Sequence, residues 1–232
     1  MDFVQKRLAS GLSAYYRQGS TDELVLHEVL DNRIYRRAKM GFDVESGENW
    51  LDLGANIGAF ALYCKLRGAT AECYEPDPDC FALLGKNVPD FTLHNVAVTA
   101  STADRIPFWK GRSSKDFYRA TACGNRFLPR HPSGLLSNRH GGFLVGCSFD
   151  GVKMDIEGSE GALLDQGLLP RCRKLCVEYH LSRDDSAVNL QRRLDLLRLR
   201  FRTVKYPPYF DHMIALGRPF RTFHDRVIFC MT

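Results

Sequence analysis

The fold class can be predicted from one stretch of the sequence, Leu51-Asp52-Leu53-Gly54-Ala55-Asn56-Ile57-Gly58. This stretch joins a short apolar run to a helical pattern. Trp50–Gly54 is typical of a buried strand that ends at a glycine, and Gly58–Arg67 has helical spacing. Glycine in such a turn lets the backbone approach a ligand closely and frees N–H groups at the start of the helix. The spacing D-x-G-x-x-x-G differs from the G-x-G-x-x-G of dinucleotide dehydrogenases, which disfavours NAD as the ligand.

Strand and helix patterns alternate on either side of this stretch through the first hundred residues. Thr70–Tyr74 and Phe91–Val98 are predicted strands, and Glu75–Val88 is predicted to end the first of them and open a helix. Upstream, Ser20–Glu23 fits a capping box that predicts a helix, whereas Ile34–Val44 is predicted to be extended. Alternation at this spacing is typical of a doubly wound α/β sheet.

The second half of the chain resumes this pattern after a basic interruption. Residues 99–146 are rich in glycine, serine and proline, and predict an edge strand at Arg105–Trp109 within a long surface loop. Besides Arg105 in the predicted edge strand, seven basic side chains lie in this insert: Lys110, Arg112, Lys115, Arg119, Arg126, Arg130 and Arg139. The elements predicted after it are strands at Gly151–Ile156 and Leu175–Tyr179, helices at Ser159–Leu168 and Ala187–Leu199, and an antiparallel closing pair at Phe201–Tyr206 and Arg226–Met231. The helix at Ala187–Leu199 is expected to carry a basic outer face, formed by Arg192, Arg193, Arg198 and Arg200.

Composition predicts one globular domain. The chain has 232 residues, of which 44% are apolar and 25% are charged, close to the average for globular proteins. No apolar run of about 18 residues and no apolar signal segment occur, so we expect no membrane partner. The eight cysteines form no CxxC pair, which disfavours structural zinc, and free thiols suit a reducing cytoplasm. The formal net charge of +5 permits nucleic-acid contacts without requiring them.

Four segments together resemble one known enzyme family. The stretch at 51–58 looks like motif I of class I S-adenosylmethionine (SAM) methyltransferases, and Tyr74-Glu75-Pro76-Asp77 looks like motif II. Residues 152–160, Val-Lys-Met-Asp-Ile-Glu-Gly-Ser-Glu, resemble the K-x-D-x-E-G-x-E signature of the FkbM family. Val177-Glu178-Tyr179-His180 resembles the E-x-H of that family's next strand. The order and spacing of these segments match across residues 30–182.

The resemblance implies a fold and a domain division. The fold would be a Rossmann-like α/β structure, with a mostly parallel seven-stranded sheet between helices and an antiparallel last strand. Residues 1–232 would form a single SAM-dependent methyltransferase domain. Within it, residues 1–48 would be a helical and extended lead-in, and residues 99–146 a basic insert near the acceptor side.

The resemblance also implies where the cofactor SAM would bind. Gly54, Ala55, Asn56 and Gly58 would lie along its methionine and ribose. Glu75 would accept the two ribose hydroxyls, as acidic residues at this strand end do in doubly wound folds. The rest of the implied cofactor-binding set consists of Asp52, Pro76, Asp77, Asn95 and Ala97.

Three residues at two neighbouring strand ends are the candidates for catalysis. Asp155 ends one predicted strand, while Glu178 and His180 end the next and lie on one face by alternation. An alcohol needs its proton removed or polarised, and His180 is the attractive base because its ordinary pKa is near 6.5. The same trio would suit a Mg²⁺ or Mn²⁺ ion that polarises the acceptor. Asp155 could otherwise cap the following helix, and Glu178 could pair with Lys153.

The predicted function is SAM-dependent O-methylation of a hydroxyl on a sugar or glycan. Two alternatives stay open: an RNA-directed methyltransferase, favoured only by positive charge, and a non-catalytic scaffold that retains the SAM fold. Aromatic residues interleave with the basic ones of the insert, as in sites where sugars or single-stranded RNA stack. These residues are Phe117, Tyr118, Phe127 and His131. Nucleic acid is a permitted but not a favoured partner.

Overall fold

A seven-stranded sheet forms the centre of the computed structural model, which describes residues 3–8, 11–108, 132–180, 186–216 and 227–232. Its strands, in spatial order, are β11 (Thr203–Lys205), β12 (Val227–Met231), β10 (Lys174–Glu178), β9 (Gly151–Met154), β3 (Asn49–Leu53), β4 (Thr70–Tyr74) and β5 (Thr92–His94). β12 runs antiparallel to both of its neighbours, while the strands from β10 to β5 pair in parallel. The predicted mixed sheet with an antiparallel last strand is therefore confirmed.

Helices cover both faces of this sheet, and the alternation of side chains along β3 explains how. Trp50 points into one apolar cluster, whereas Leu51 and Leu53 point into the other. The helices are α1 (Asp22–Leu26), α2 (Ala59–Leu66), α3 (Pro78–Asn87), α4 (Glu160–Asp165), α5 (Ala187–Arg200) and α6 (Tyr209–Leu216). Helices α1 to α3 cover the first cluster and α4 to α6 cover the second, as apolar side chains such as Phe60 and Leu194 show.

Shorter elements complete the described chain. A π-helical turn at His27–Asp31 continues α1, and 3-10 turns lie at Ala38–Met40 and Gly141–Gly146. An N-terminal hairpin joins β1 (Phe3–Arg7) to β2 (Ser13–Arg17). Among the described residues, none of the helices has the length and apolar character needed to cross a membrane.

The lead-in departs from the prediction of an extended segment at Ile34–Val44. The chain there forms turns and the 3-10 turn, and an antiparallel bridge between Arg37 and Phe42 folds it back on itself. Gly41 makes this reversal with a φ of 72°, a region that favours glycine. Phe42 is fully buried against Trp50, so the folded-back segment is anchored in the core.

The predicted strand Phe91–Val98 is divided between two sheets. Its first part is β5, and its second part, β6 (Ala97–Thr99), joins a separate three-stranded sheet with β8 (Gly134–His140) and β7 (Arg105–Phe108). At the break, the side chain of Asn95 donates to the backbone carbonyls of Glu75 and Pro76.

The basic insert is only partly described. Where residues 99–146 are described, they form β7, β8 and a 3-10 turn, so the prediction of a loop is wrong for residues 134–146. Arg139 lies on β8, with its guanidinium over the ring of Phe143. The other six basic residues and the interleaved aromatic residues, at positions 109–131, lie outside the described residues.

The expected basic outer face of α5 also needs one correction. Arg193 is buried, and its guanidinium forms two hydrogen bonds with the carboxylate of Asp165 at 3.0 and 2.7 Å. The pair ties α5 to the end of α4, so Arg193 serves packing within the domain rather than a surface.

Candidate active site

The turn between β3 and α2 has a backbone that few residues other than glycine adopt. Gly54 and Gly58 have φ values of 80° and 89°, and Asn56 between them has a φ of 52°. A Cβ at Gly54 would lie 1.8 Å from the backbone oxygen of Asp155. The glycine is therefore required twice, by its φ and by the close approach of β9.

Glu75 lies at the end of β4 and faces this turn. Its carboxylate accepts hydrogen bonds from the backbone N–H of Asn56 at 2.7 Å and of Asp77 at 2.8 Å. Burial raises the pKa of Glu75 to about 7, although the two N–H donors oppose the shift. The predicted neighbours Asn56 and Glu75 are thus brought together by tertiary structure.

The turn also presents an unused acceptor. The side-chain oxygen of Asn56 is buried and has no hydrogen-bond partner among the described residues. Together with the remaining lone pairs of Glu75, it offers acceptors to a ligand that carries hydroxyl or ammonium donors. SAM carries both kinds of donor, so the residues present fit the cofactor implied by the sequence motifs.

Asp52 and Lys153 form a buried ion pair beneath this turn. Their charged atoms are 3.1 Å apart, and both side chains are almost fully buried. Lys153 also donates to the backbone oxygen of Gly54 at 2.6 Å and lies 3.6 Å from the carboxylate of Asp155. Burial alone would lower the pKa of Lys153, but Asp52 and Asp155 raise it, so the lysine is cationic.

Two of the remaining predicted cofactor residues, Asp77 and Asn95, hold the turn after β4. The carboxylate of Asp77 caps α3 by accepting from the N–H of Asp79 at 2.9 Å and of Cys80 at 3.0 Å. Asn95 holds the same turn through the carbonyls of Glu75 and Pro76. Ala55 and Ala97 are both buried, the first in the glycine turn and the second in β6. Contacts of these residues with a cofactor stay predictions.

Asp155, Glu178 and His180 converge at the ends of β9 and β10, as the motif spacing predicts. One ligand atom from each lies within 4.8 Å of the other two, so the trio has the geometry to hold a metal ion. The imidazole lies 3.9 Å from each of the two carboxylates. Lys153 forms ion pairs with Asp52 and Asp155. Among the described residues, Lys153 forms no ion pair with Glu178, the alternative partner that the sequence suggested.

Two further carboxylates surround His180, and sequence reasoning did not place them in the site. Glu160 is fully buried, lies 3.1 Å from Nδ1 of His180, and accepts from the N–H of Ile156 and Gly158 at 2.9 Å each. Glu157 lies 3.4 Å from Nε2 and has a φ of 52°. Both belong to the K-x-D-x-E-G-x-E signature, which could have identified them.

The acidic surroundings change the expected chemistry of His180. Burial alone would lower its pKa, but Glu157, Glu160 and Asp155 raise it well above the ordinary value. The imidazole is therefore protonated at neutral pH in this arrangement. The pKa of Glu178 is also raised, first by the neighbouring charge of Asp155 and then by burial. Of these groups, Glu178 is therefore a carboxyl whose raised pKa brings proton exchange toward neutral pH.

Tyr35 is a third residue of the site that the sequence did not reveal. Its hydroxyl lies 3.4 Å from Oδ2 of Asp155 and 3.4 Å from Oε2 of Glu178. The residue is 120 positions away from Asp155 in the chain and belongs to no motif, so only the tertiary fold could place it there.

Comparison with known proteins gives one sequence relative. No family model matches the chain. A curated relative, 31-O-demethyl-FK506 methyltransferase FkbM from Streptomyces tacrolimicus, is 32% identical over 93 residues. The match covers 39% of this chain and 34% of the relative, which is well under two thirds of its length.

Solved structures with a similar fold include three methyltransferases. A SAM-dependent methyltransferase from Archaeoglobus fulgidus is 13% identical, with a TM-score of 0.46, and the alignment covers 90% of this chain and 94% of that one. The tRNA (uracil-54, C5)-methyltransferase of Pyrococcus abyssi is 12% identical, with a TM-score of 0.44 and coverage of 100% and 45%. The 16S rRNA N2 G1207 methyltransferase of T. thermophilus is 15% identical, with a TM-score of 0.42 and coverage of 99% and 50%.

The strand order and the glycine turn define the fold as that of class I SAM-dependent methyltransferases. Numbered along the chain within the central sheet, the strands lie in the order 3-2-1-4-5-7-6, with strand 7 antiparallel. Within that class, the match to the curated methyltransferase confirms the resemblance to the FkbM family that the four motifs indicate.

Proposed function

We propose that the chain binds SAM and transfers its methyl group to a hydroxyl of a sugar or glycan. The observation that carries the cofactor assignment is the pairing of Glu75 with the glycine turn. Its buried carboxylate is fixed by two backbone N–H groups and lies beside the unused side-chain oxygen of Asn56. Such a set of acceptors is suited to the paired hydroxyls of a ribose.

The carboxylates around His180 support an acceptor with a removable proton. We call them the acidic cluster, and they are Asp155, Glu157, Glu160 and Glu178. SAM, when bound, supplies a methyl group on a positively charged sulfur, which leaves with the electron pair of the broken S–C bond. The acceptor oxygen forms the new bond to carbon, and its proton passes to the carboxylate pair of Asp155 and Glu178. Asp155 adjoins the glycine turn directly, since its backbone N–H bonds to the carbonyl of Leu53 at 2.9 Å. A positioned base contributes about 10²- to 10⁴-fold to such a step.

In this proposal His180 is not the general base that the sequence suggested, but a protonated group that orients the surrounding acids. Carboxylates flank both ring nitrogens, so the protonated ring keeps two donors and orients the acids around it. The imidazolium also offsets part of the negative charge of four neighbouring carboxylates.

The oxygen acceptor is supported by the curated relative, whose name describes methylation of 31-O-demethyl-FK506. The sugar or glycan rests on the family resemblance. An RNA acceptor would require steeply salt-dependent binding of oligonucleotides. We expect an RNA oligonucleotide to bind weakly, and tight binding that weakens steeply with salt would favour the RNA alternative.

A divalent cation at the same trio is a second candidate for the acceptor side. The observation that favours it is the convergence of Asp155, Glu178 and His180 within 4.8 Å. Two oxygen ligands and one imidazole would suit Mn²⁺ or Mg²⁺, which would polarise the acceptor hydroxyl. Calorimetric titration with MnCl₂ tests this, because micromolar binding that is lost in Asp155→Asn would establish the cation.

Titration with S-adenosylhomocysteine, the product of methyl donation, tests the main proposal. We expect micromolar binding, no binding of NADH, and a loss of at least about tenfold in Glu75→Gln, as expected when a charged hydrogen-bond partner is removed. Glu72→Gln is the matched control, because Glu72 lies on the same strand but faces Tyr74 and His94. Absence of binding by the unaltered protein would overturn the cofactor assignment, and binding without methyl transfer to any oxygen acceptor would favour the scaffold.

A further inference from the structure

Tyr35 enters the site from outside the sheet, on the segment that connects the first helix to the 3-10 turn. Its side chain is 5% exposed, and its ring packs edge-on against Phe60 at 5.4 Å between centroids. Phe60 lies on α2, the helix that follows the glycine turn. The ring of Tyr35 therefore contacts the helix that follows the cofactor turn, while its hydroxyl reaches Asp155 and Glu178.

The segment that carries Tyr35 is anchored in the core. Arg37, two residues along, places its guanidinium 4.3 Å from the ring centroid of Phe229 and pairs with Phe42 through a backbone bridge. Phe42 is fully buried and packs against the same Phe229 ring at 5.0 Å. Arg33 has a φ of 53°, a strained value for a residue with a side chain. Strained backbone persists where the surroundings fix it, and such positions cluster at functional sites.

A single hydroxyl between two carboxylates imposes a division of roles. A phenol has one proton to donate, so it can serve Asp155 or Glu178 as donor but not both at once. The second carboxylate is left without a donor from Tyr35 unless it carries a proton itself. Burial and the two acids raise the pKa of Tyr35 well above its ordinary value, so the phenol keeps its proton.

We propose that Tyr35 is a positioning residue whose hydroxyl holds the carboxylates of Asp155 and Glu178 together as a pair. The pairing stands on geometry alone, whereas its use in the reaction rests on the proposed function. Held in this way, one carboxylate accepts the hydroxyl proton of the acceptor while Tyr35 fixes the position of the other. The 3.4 Å separations are long, as catalytic hydrogen bonds often are before a substrate binds.

The chain offers a matched control in Tyr63. This residue also packs against Phe60, at 6.4 Å, and its hydroxyl also donates to a carboxylate, that of Asp43. Tyr35→Phe and Tyr63→Phe each remove one buried hydroxyl and one bond to an acid. Only the first removes a hydroxyl from the acidic cluster.

The first measurement is the titration midpoint of the Glu178 carboxyl carbon by ¹³C NMR, assigned with Glu178→Gln. Tyr35→Phe removes both the donor to the charged carboxylate and the acceptor for the protonated one, so the midpoint should shift by on the order of one pH unit. Tyr63→Phe should leave it unchanged. Fluorotyrosine at position 35 changes the donor strength of the hydroxyl and should also shift the midpoint, so this second variant keeps the test decisive if Tyr35→Phe folds poorly.

The second measurement is methyl transfer to a hydroxyl acceptor. Tyr35→Phe should lower kcat about tenfold and leave the KM for SAM within about twofold, the pattern of a group that acts in the reaction rather than in binding. An unchanged Glu178 midpoint in Tyr35→Phe would overturn the pairing. A shifted midpoint with kcat equal to that of Tyr63→Phe would overturn the positioning role. Failure of the unaltered protein to bind S-adenosylhomocysteine would instead overturn the proposed function, with the midpoint still deciding the pairing.

Discussion

The ammonium group of Lys153 donates a 2.6 Å hydrogen bond to the backbone oxygen of Gly54. This bond links β9, which carries Asp155, to the glycine turn that follows β3. The same ammonium neutralises the buried carboxylate of Asp52. Lys153 thus connects the predicted cofactor turn to the predicted acceptor side. Because Lys153 is buried, its replacement should lower the stability of the fold.

Lys153→Met should unfold the protein at lower urea concentration. The substitution leaves the carboxylate of Asp52 buried without its partner, which costs about 3–5 kcal/mol. Lys65→Met is the control, because Lys65 pairs with Asp90 at the surface, where such pairs contribute about 0–1 kcal/mol. Equal urea midpoints for the two variants would contradict the structural role of Lys153.

Gly54→Ala should destabilise the protein more than Gly47→Ala. Both glycines have positive φ, 80° and 82°, so both substitutions introduce the same backbone strain. Only at Gly54 does the added Cβ meet an atom within 4 Å, the backbone oxygen of Asp155. We expect an additional loss of about 1–3 kcal/mol at Gly54, measured by urea unfolding, as for other overpacked sites. A similar loss at both positions would mean that β9 does not approach the turn closely.

Binding of S-adenosylhomocysteine should weaken as the pH falls through 7. Burial raises the pKa of Glu75 to about 7, and hydroxyl donors favour its charged form. Affinity should therefore be constant well above pH 7 and decline by up to about tenfold per unit below it. Glu75→Gln should show a flat profile in the same calorimetric titration, and a flat profile in the unaltered protein would contradict the assignment.

The same shift has a consequence for stability with the opposite sense. A carboxyl group whose folded pKa lies above its unfolded value binds a proton more tightly in the folded state. Protonation of Glu75 therefore stabilises the fold at low pH, and this contribution disappears as the pH rises through about 7. Glu75→Gln should remove this part of the pH dependence of unfolding, whereas Glu72→Gln should retain it.

Glu160→Gln should lower the pKa of His180. Glu160 is one of the acids that raise this pKa, and its carboxylate lies 3.1 Å from Nδ1. A raised histidine pKa contributes stability below the unfolded value of about 6.5, and the contribution is lost as the pH rises through the folded pKa. The variant should therefore lose more stability at pH 6 than at high pH. Imidazole NMR measures the pKa directly, and an unshifted resonance would contradict the pairing.

The central sheet and the glycine turn could be predicted from the amino-acid sequence. Strands such as Trp50–Gly54 are apolar and end at punctuating residues, so their bounds agree with β3 and its neighbours to within a residue or two. The convergence of Asp155, Glu178 and His180 also followed, because parallel strands place their carboxyl ends at one edge. Local pattern suffices for such features, since they depend on burial and strand direction alone.

The groups that share charge and protons in the site become visible only in the folded chain. Tyr35 was hidden in a segment predicted as extended, and the fold-back at Gly41 that brings it to the cluster depends on the burial of Phe42. The protonation of His180 depends on Glu157 and Glu160, whose distances from the ring no spacing rule gives. Electrostatic interactions in a buried site vary with ångström separations, which sequence patterns do not contain but packing fixes.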